Sequence, residues 1–325
     1  MITSCYRAPD RNLRFDLTRD SIVAALAEPE GLLWVDIAAD VRDESEPLLL
    51  DVFKFHHLTV DDCFNTLIDP PKIDDYGAYL FVIVHDVTYD ATEHHLNTAE
   101  LDMYIGANYV VTVHRSPVDA VSVVRRRVEG NGLLINHGAD CLAHALFDVV
   151  VDQFHPVVEQ IDDQVSALQE RVIDRPERDT LQDVLALKHV VQRLKRSILP
   201  QRDVANRLSR GEYDRLIRRE SLMYYRDVYD HTVRVEDMVD SLRDLADSSM
   251  NTYLSSVNNR LNEVMKTLAI VTVVLLPLTV ITGVYGTNFE RLPELTWRYG
   301  YPGMLAVMLL VAVALVAWFR WRRWI

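Results

Sequence analysis

From Glu212 to Leu276 the chain runs for 65 residues without a glycine or a proline, and it ends inside a stretch too apolar to be left in water. Apolar residues recur along it at spacings of three and four, as in Leu216, Met223, Val228, Val235, Met238, Leu242 and Leu245. One continuous helix of this length is roughly 100 Å long at ~1.5 Å per residue. A pattern that long without caps points to a coiled coil or a transmembrane rod. Here the two coincide, because the periodic segment leads into an uncharged one.

That uncharged run, Leu268 to Val284, has 17 residues, and a second from Tyr301 to Phe319 has 19. A bilayer-spanning helix needs about 20 predominantly apolar residues. A buried hairpin is the alternative, but two such runs with no amphipathic face would need an unusually large core to cover them. The flanks give the orientation. Arg320, Arg322 and Arg323 follow the second run among Trp321 and Trp324, and Arg260 and Lys266 precede the first. The positive-inside rule puts both termini in the cytoplasm and the connecting loop outside.

Charge separates the rest of the chain from these runs. Residues 1–266 hold 46 of the 48 acids and 29 of the 34 lysines and arginines, a net −17, while residues 267–325 carry +3. An acidic balance argues against nucleic acid, which calls for a basic face. Cys5, Cys63 and Cys141 are scattered without ligand spacing, which suits a reducing compartment. The first residues, MITSCYRAPDRNLRFD, lack the apolar core of a signal peptide. The expectation is an acidic cytoplasmic body on two membrane spans, in a prokaryotic inner or plasma membrane.

The organisation predicted is as follows. Residues 1–135 form an α/β cytoplasmic domain, with strand composition at 32–37 and 78–90 and two strands around a Gly-Ala-Asn turn at 101–115. Residues 136–210 form an antiparallel helical pair turning at Pro176, and 211–266 a stalk helix. The first span covers 267–286, an extracytoplasmic loop 287–300, the second span 301–319, and a basic cytoplasmic tail 320–325. The fold class is thus α+β, then a long stalk helix, then two C-terminal transmembrane helices.

On a helical wheel one stripe of the first span differs from the rest. Asn262, Met265, Ala269, Thr272, Leu276, Thr279, Gly283 and Gly286 carry the small and polar residues of an otherwise Leu/Val/Ile helix. Polar residues in a span usually face a bundle interior or a water-filled path. Small residues and threonines also gather where helices pack, and the stripe alone fits both. Two spans cannot enclose a channel, so a lined path requires several copies of the chain around one axis.

With YGTNF at 285–289 closing the first span, the chain resembles a known family, the CorA-type divalent metal ion transporters. Members close their first span with Gly-Met-Asn inside Tyr-Gly-Met-Asn-Phe, followed by a Met-Pro-Glu-Leu-type loop. This chain has YGTNFERLPELTWRYGYP at 285–302, with Tyr285, Gly286, Asn288, Phe289, Pro293, Glu294 and Leu295 in place. The likeness extends through RDVYDHT (226–232), YLSSVNNRLNEVMK (253–266) and LPLT (276–279), with weaker echoes at 56–65. It implies a funnel-shaped homopentamer whose stalk helix becomes the pore helix. Gly286 would free the backbone at the outer helix end, and Asn288 would place one amide per subunit at the entrance. Mg²⁺ dehydrates reluctantly, so a neutral ring can hold the hydrated ion weakly enough to release it. Glu294 would concentrate cations nearby, Thr279 would add a polar ring, and Leu276 and Met265 would be constrictions that gate by dewetting. Thr272 and Asn262 would line the path further in. Thr287 departs from the family's usual methionine and leaves the identity of the ion open.

In the family, intracellular Mg²⁺ binds between neighbouring cytoplasmic domains and shuts the pore. The matching positions are Asp227, in RDVYDH, and Asp90, in TYDAT. Bound metal would favour the closed state by its differential affinity. The adjacent pairs His56–His57 and His94–His95 do not converge on one metal without special geometry. No HExxH, CxxC, Ser/His/Asp or Walker grouping is visible, so the reading is not an enzyme and needs no organic cofactor. Flux would be driven by the membrane potential, worth about 4.6 kcal/mol for a divalent ion at 100 mV at ~2.3 kcal/mol per charge. The expected function is Mg²⁺ (and Co²⁺) influx gated by intracellular metal, with Mg²⁺, the bilayer and copies of itself as partners. The rivals are a Zn²⁺ transporter of the same architecture and a membrane-anchored scaffold.

Overall fold

In β3 (Leu32–Ala38), Leu32 and Trp34 face one side of a sheet and Leu33, Val35 and Ile37 the other, so both faces need cover. The computed structural model describes residues 1–325 except 39–41, 132–133, 175–177, 288–296 and 325. β3 pairs in parallel with β7 (Tyr109–His114). The neighbours β1 (Ile2–Arg7), β2 (Leu13–Phe15), β4 (Lys72–Asp75), β5 (Leu80–Asp90) and β6 (His95–Ile105) complete a seven-stranded sheet of order β2-β1-β3-β7-β6-β5-β4. Every pair except β3–β7 is antiparallel. The strands expected at 32–37, 78–90 and 101–115 are β3, β5 and the β6–β7 hairpin.

Helices cover both faces. On one side lie α1 (Arg19–Leu26), α2 (Arg42–Pro47) with the π-helical turn Leu48–Val52 that continues it, and α3 (His57–Phe64). Ile22, Leu49, Val60 and Cys63 pack there with Phe81 and Tyr104 of the sheet. Thr18 caps α1 by accepting from Ser21 N at 3.4 Å, and the His56 ring caps α3 from Leu58 N at 3.3 Å. On the other side α4 (Asp119–Asn131), α5 (Ala139–Asp152), part of α7 (Arg178–Ser209) and the start of α8 (Leu222–Tyr285) bury Val124, Leu146, Leu208 and Tyr225 against Val82 and Met103.

Residues 139–209 hold three helices where two are predicted, because α6 (Phe154–Asp174) is separate from α5. Pro156 has no N–H to give the Asp152 carbonyl, and the ladder breaks one turn earlier, at Gln153. The turn expected at Pro176 lies outside the described residues. The α5–α6 stretch is also long and apolar enough to cross a membrane, but 61% of its apolar window is buried against neighbouring elements. It is core.

The stalk starts later than its composition suggests. Gly211 sits at φ 75°, Arg218 is extended, and a 3₁₀ turn at Arg219–Ser221 precedes α8. Asp140, 2% exposed, explains the stop. Its Oδ2 accepts from the Arg218 backbone N at 3.1 Å and from Ser221 Oγ at 2.7 Å, and its carbonyl accepts from Tyr225 OH at 2.8 Å. The side chain at 218 is claimed by α5, so the helix cannot begin until the chain has passed it. Gly138, at φ 99°, lets Arg218 approach, since a Cβ there would meet Arg218 Nη2 at 2.9 Å.

The chain divides into two compact units, Met1–Met250 and Asn251–Ile325. The second contains the remainder of α8 and α9 (Gly300–Trp321). The apolar windows of these two helices are 0% and 6% buried, at mean hydropathies of 2.3 and 2.4. Length, apolarity and exposure together are what a lipid-facing helix requires.

Candidate permeation path and metal-binding cluster

Within the second unit the stripe of α8 can be followed residue by residue. Asn262, Met265, Thr272, Leu276 and Thr279 are all exposed on the helix, Met265 and Leu276 each by 62%. The threonines are oriented in one way. Thr272 Oγ1 donates to Leu268 O at 2.8 Å, Thr279 Oγ1 to Leu275 O at 3.0 Å, and Thr287 Oγ1 to Val284 O at 2.7 Å. A hydroxyl that has given its proton back to the helix offers only lone pairs outward. The stripe therefore presents acceptors, which suits a cation or the outward-pointing protons of its hydration shell. Pro277 adds to this, since it cannot donate to Val273 O and leaves that carbonyl without its ladder partner.

The outer end of α8 differs from expectation at Gly286. The residue is not in the left-handed region, and its N–H still donates to Thr282 O at 2.9 Å. The space there is tight: a Cβ would meet Thr282 O at 3.1 Å. At Gly283 a Cβ would meet nothing within 4 Å. The backbone thus stays close to the helical path through Thr287, whose N donates to Val284 O at 3.3 Å. Asn288 and Glu294 lie outside the described residues.

The first unit contains a cluster that the sequence reading does not assemble. Among the described residues, Asp148 and Asp152 of α5 and His231 of α8 bring ligand atoms within 4.8 Å of one another. His231 Nδ1 lies 3.5 Å from Asp152 Oδ1, and its Nε2 lies 3.8 Å from Asp227 Oδ2. Asp227, singled out from the sequence, is therefore the exposed edge of a group of three carboxylates and an imidazole. Burial pushes the Asp148 carboxyl above its usual range, with His144 and His231 working the other way. His144, one turn before Asp148, is pushed down by burial, and its Nε2 has no hydrogen-bond partner among the described residues. Two oxygens and a nitrogen at this spacing can take a divalent cation, and each proton lost from them favours it.

Asp90 is placed differently. At the end of β5 its Oδ1 accepts from Thr92 N at 2.8 Å, Thr92 Oγ1 at 2.6 Å and Glu93 N at 3.3 Å. These bonds hold its carboxyl below the usual range and spend it on the turn into β6. Asp148, Asp152 and His231 were missed because a fourfold spacing along α5 (144, 148, 152) and along α8 (227, 231) reads as two ordinary helix faces. Only the packing of α8 on α5 makes them one group.

The comparisons with known proteins agree with one another. The family model described as CorA-like Mg²⁺ transporter protein matches residues 29–323. The cobalt/magnesium transport protein CorA of Thermotoga maritima is 36% identical over 293 residues, which is 90% of this chain and 83% of that one. The putative metal ion transporter YfjQ of Bacillus subtilis is 32% identical over 291 residues, 90% of this chain and 89% of that one. The solved structure of the complete CorA magnesium transporter of Methanocaldococcus jannaschii has a TM-score of 0.84 at 20% identity, over 99% of this chain and 98% of that one. At that identity the likeness concerns the fold.

Proposed function

This chain belongs to the CorA-like Mg²⁺ transporter family, and on that premise we propose that it is a homopentameric channel for divalent cations, carrying Mg²⁺ and Co²⁺ inward down the membrane potential. The observation that carries the reading is the pair of threonine hydroxyls on the stripe of α8, Thr272 and Thr279, turned so that their protons point into the helix and their lone pairs outward. A hydrated divalent ion presents hydrogens outward and needs such acceptors. It can then pass without the cost of losing its inner waters.

In this mechanism five copies of Asn288 form the outer ring, Gly286 brings that ring close to the helix end, and Glu294 raises the local cation concentration. Thr279 forms a second ring. Leu276 and Met265 set the dry constrictions, with Asn262 at the cytoplasmic mouth. Regulation falls to Asp227 with Asp148, Asp152 and His231, since Asp90 is engaged in its turn. Metal held there favours the closed state through its higher affinity for it. The termini lie in the cytoplasm of a prokaryotic cell.

A second reading, a Zn²⁺ transporter of the same build, is favoured by one residue: Thr287 stands where family members usually carry methionine. Flux into proteoliposomes separates the two. Mg²⁺ entry, read by an internal indicator and lost in Asn288→Ala, supports the first; Zn²⁺ entry without Mg²⁺ entry supports the second. No flux of any ion from an intact oligomer overturns both.

A further inference from the structure

We propose that the cavity bounded by Cys63, Glu100 and Asp102 is a binding site for a thiophilic divalent metal, Zn²⁺ or Co²⁺, separate from the Asp148 cluster. The cavity has a volume of about 210 Å³ and lies between the segment after α3 (Asn65–Ile68) and the strands β6 and β7. That exceeds the ~30 Å³ share of one water several times over.

Asp102 is the starting point. It is 3% exposed, lines the cavity, and its Oδ1 has no hydrogen-bond partner among the described residues. A buried oxygen left unpaired is costly unless something else occupies its lone pairs. Burial first, and the charge of Glu100 second, push its carboxyl well above the ordinary range, so in the metal-free chain it keeps its proton. Burial also holds Cys63 as a thiol, with Sγ 3.2 Å from Tyr104 OH. Glu100 is raised by burial too, and its Oε2 accepts from Asp69 N at 2.7 Å. A thiol and a carboxyl that burial keeps protonated, with Glu100 raised beside them, thus surround one small space.

A divalent ion can replace those protons. With thiol and both carboxyls ionised the donor set carries −3. The metal returns +2 and Arg115, which also lines the cavity, supplies +1. The protons leave to solvent, and no redox step is involved. A thiolate with carboxylates is a donor set for Zn²⁺ or Co²⁺, whereas Mg²⁺ takes oxygen ligands and keeps its waters. His114, at the cavity edge, is held by Ser116 O at 2.8 Å and Asp36 Oδ2 at 3.4 Å and so stays a wall residue. The donors here are more widely spaced than those of the Asp148 cluster, and binding draws Glu100 away from the Asp69 amide.

The test is a Co²⁺ titration of the purified full-length protein, read by the near-ultraviolet thiolate-to-cobalt charge-transfer absorption. The band is expected in the unaltered chain and in Cys5→Ser, Cys141→Ser and His231→Ala, and is lost in Cys63→Ser. Asp102→Asn, which keeps the shape of the side chain, is expected to weaken binding at least as much as the roughly tenfold cost of losing an outer-shell support. Affinity is expected to rise as pH is raised, because protons compete. No band in the unaltered chain, a band that survives Cys63→Ser, or unchanged affinity in Asp102→Asn overturns the proposal. The readout does not depend on transport, so its failure leaves the channel reading untouched.

Discussion

Asp140 and Arg218, 78 residues apart, meet as a fork: Nε donates to Oδ2 at 2.9 Å and Nη2 to Oδ1 at 2.6 Å. The carboxylate is buried while half of the guanidinium side chain reaches solvent. This pair fixes where α8 begins, and its loss would leave the Arg218 backbone N–H without its acceptor and Ser221 Oγ with only Cys141 Sγ, 3.5 Å away. Asp140→Ala is expected to cost about 3 kcal/mol, the lower range for breaking a buried pair. Thermal unfolding in detergent checks it; an unchanged melting temperature would show that the fork is ornamental.

The stripe of α8 makes a separate prediction. Thr279→Val keeps the size of the side chain and removes its outward lone pairs, so flux should fall severalfold with assembly intact. Thr279→Ser keeps the hydroxyl and should conduct. Equal conduction by both variants, with the oligomer verified by size-exclusion chromatography, would remove Thr279 from the path.

At the constriction proposed above, Leu276→Ser should make dewetting harder and leave the closed state leaky. The expected outcome is appreciable flux at internal Mg²⁺ concentrations that silence the unaltered channel.

Metal regulation should be sensitive to acid. Burial raises the Asp148 carboxyl, so protons compete with metal at a higher pH than for an ordinary aspartate. Inhibition by internal Mg²⁺ should weaken on acidification, at a higher pH than an ordinary aspartate would require, and Asp148→Asn should abolish the inhibition throughout. Inhibition that ignores both pH and the substitution would remove the cluster from regulation.

Stability carries its own pH signature at Asp86, 3% exposed, which accepts from Val87 N at 2.9 Å and Asp119 N at 3.2 Å. Burial pushes its carboxyl from 3.8 up to about 6. The folded chain therefore binds this proton more tightly than the unfolded one. Its contribution is full below the unfolded value and is lost as pH rises through about 6, a change of roughly 3 kcal/mol. Asp86→Asn should flatten the pH dependence of unfolding across that window relative to the unaltered chain.

The centre of the sheet was legible because Leu32–Ala38 and Leu80–Asp90, apolar on both faces, announce themselves by composition, whereas β1, β2 and β4 at its edges were not read. The spans were legible from an absence of charge. What could not be read was set by single long-range bonds. Asp140 decides that α8 starts at Leu222, and nothing local in residues 212–221 says so. Pro156 splits one apparent helix into α5 and α6 although it sits inside a continuous apolar pattern. Asp227 was found through the RDVYDH motif, but Asp148, Asp152 and His231 needed the packing of two helices. Asp90, matched by a short motif, also caps the β5–β6 connection through its Oδ1, which TYDAT alone did not reveal. At Gly286 the residue type was anticipated, but the residue stays out of the left-handed region and lies close to Thr282 O, where conformational freedom was expected.

The described part of the stripe, from Asn262 through Met265, Thr272, Leu276 and Thr279 to Gly286 and Thr287, contains no group that gains or loses a proton between acid and alkali. A conduction wall of that kind is electrically silent to pH. Any acid dependence measured in the current must then originate at groups elsewhere in the chain. Acidity becomes a reporter of the control apparatus that the wall itself cannot contaminate.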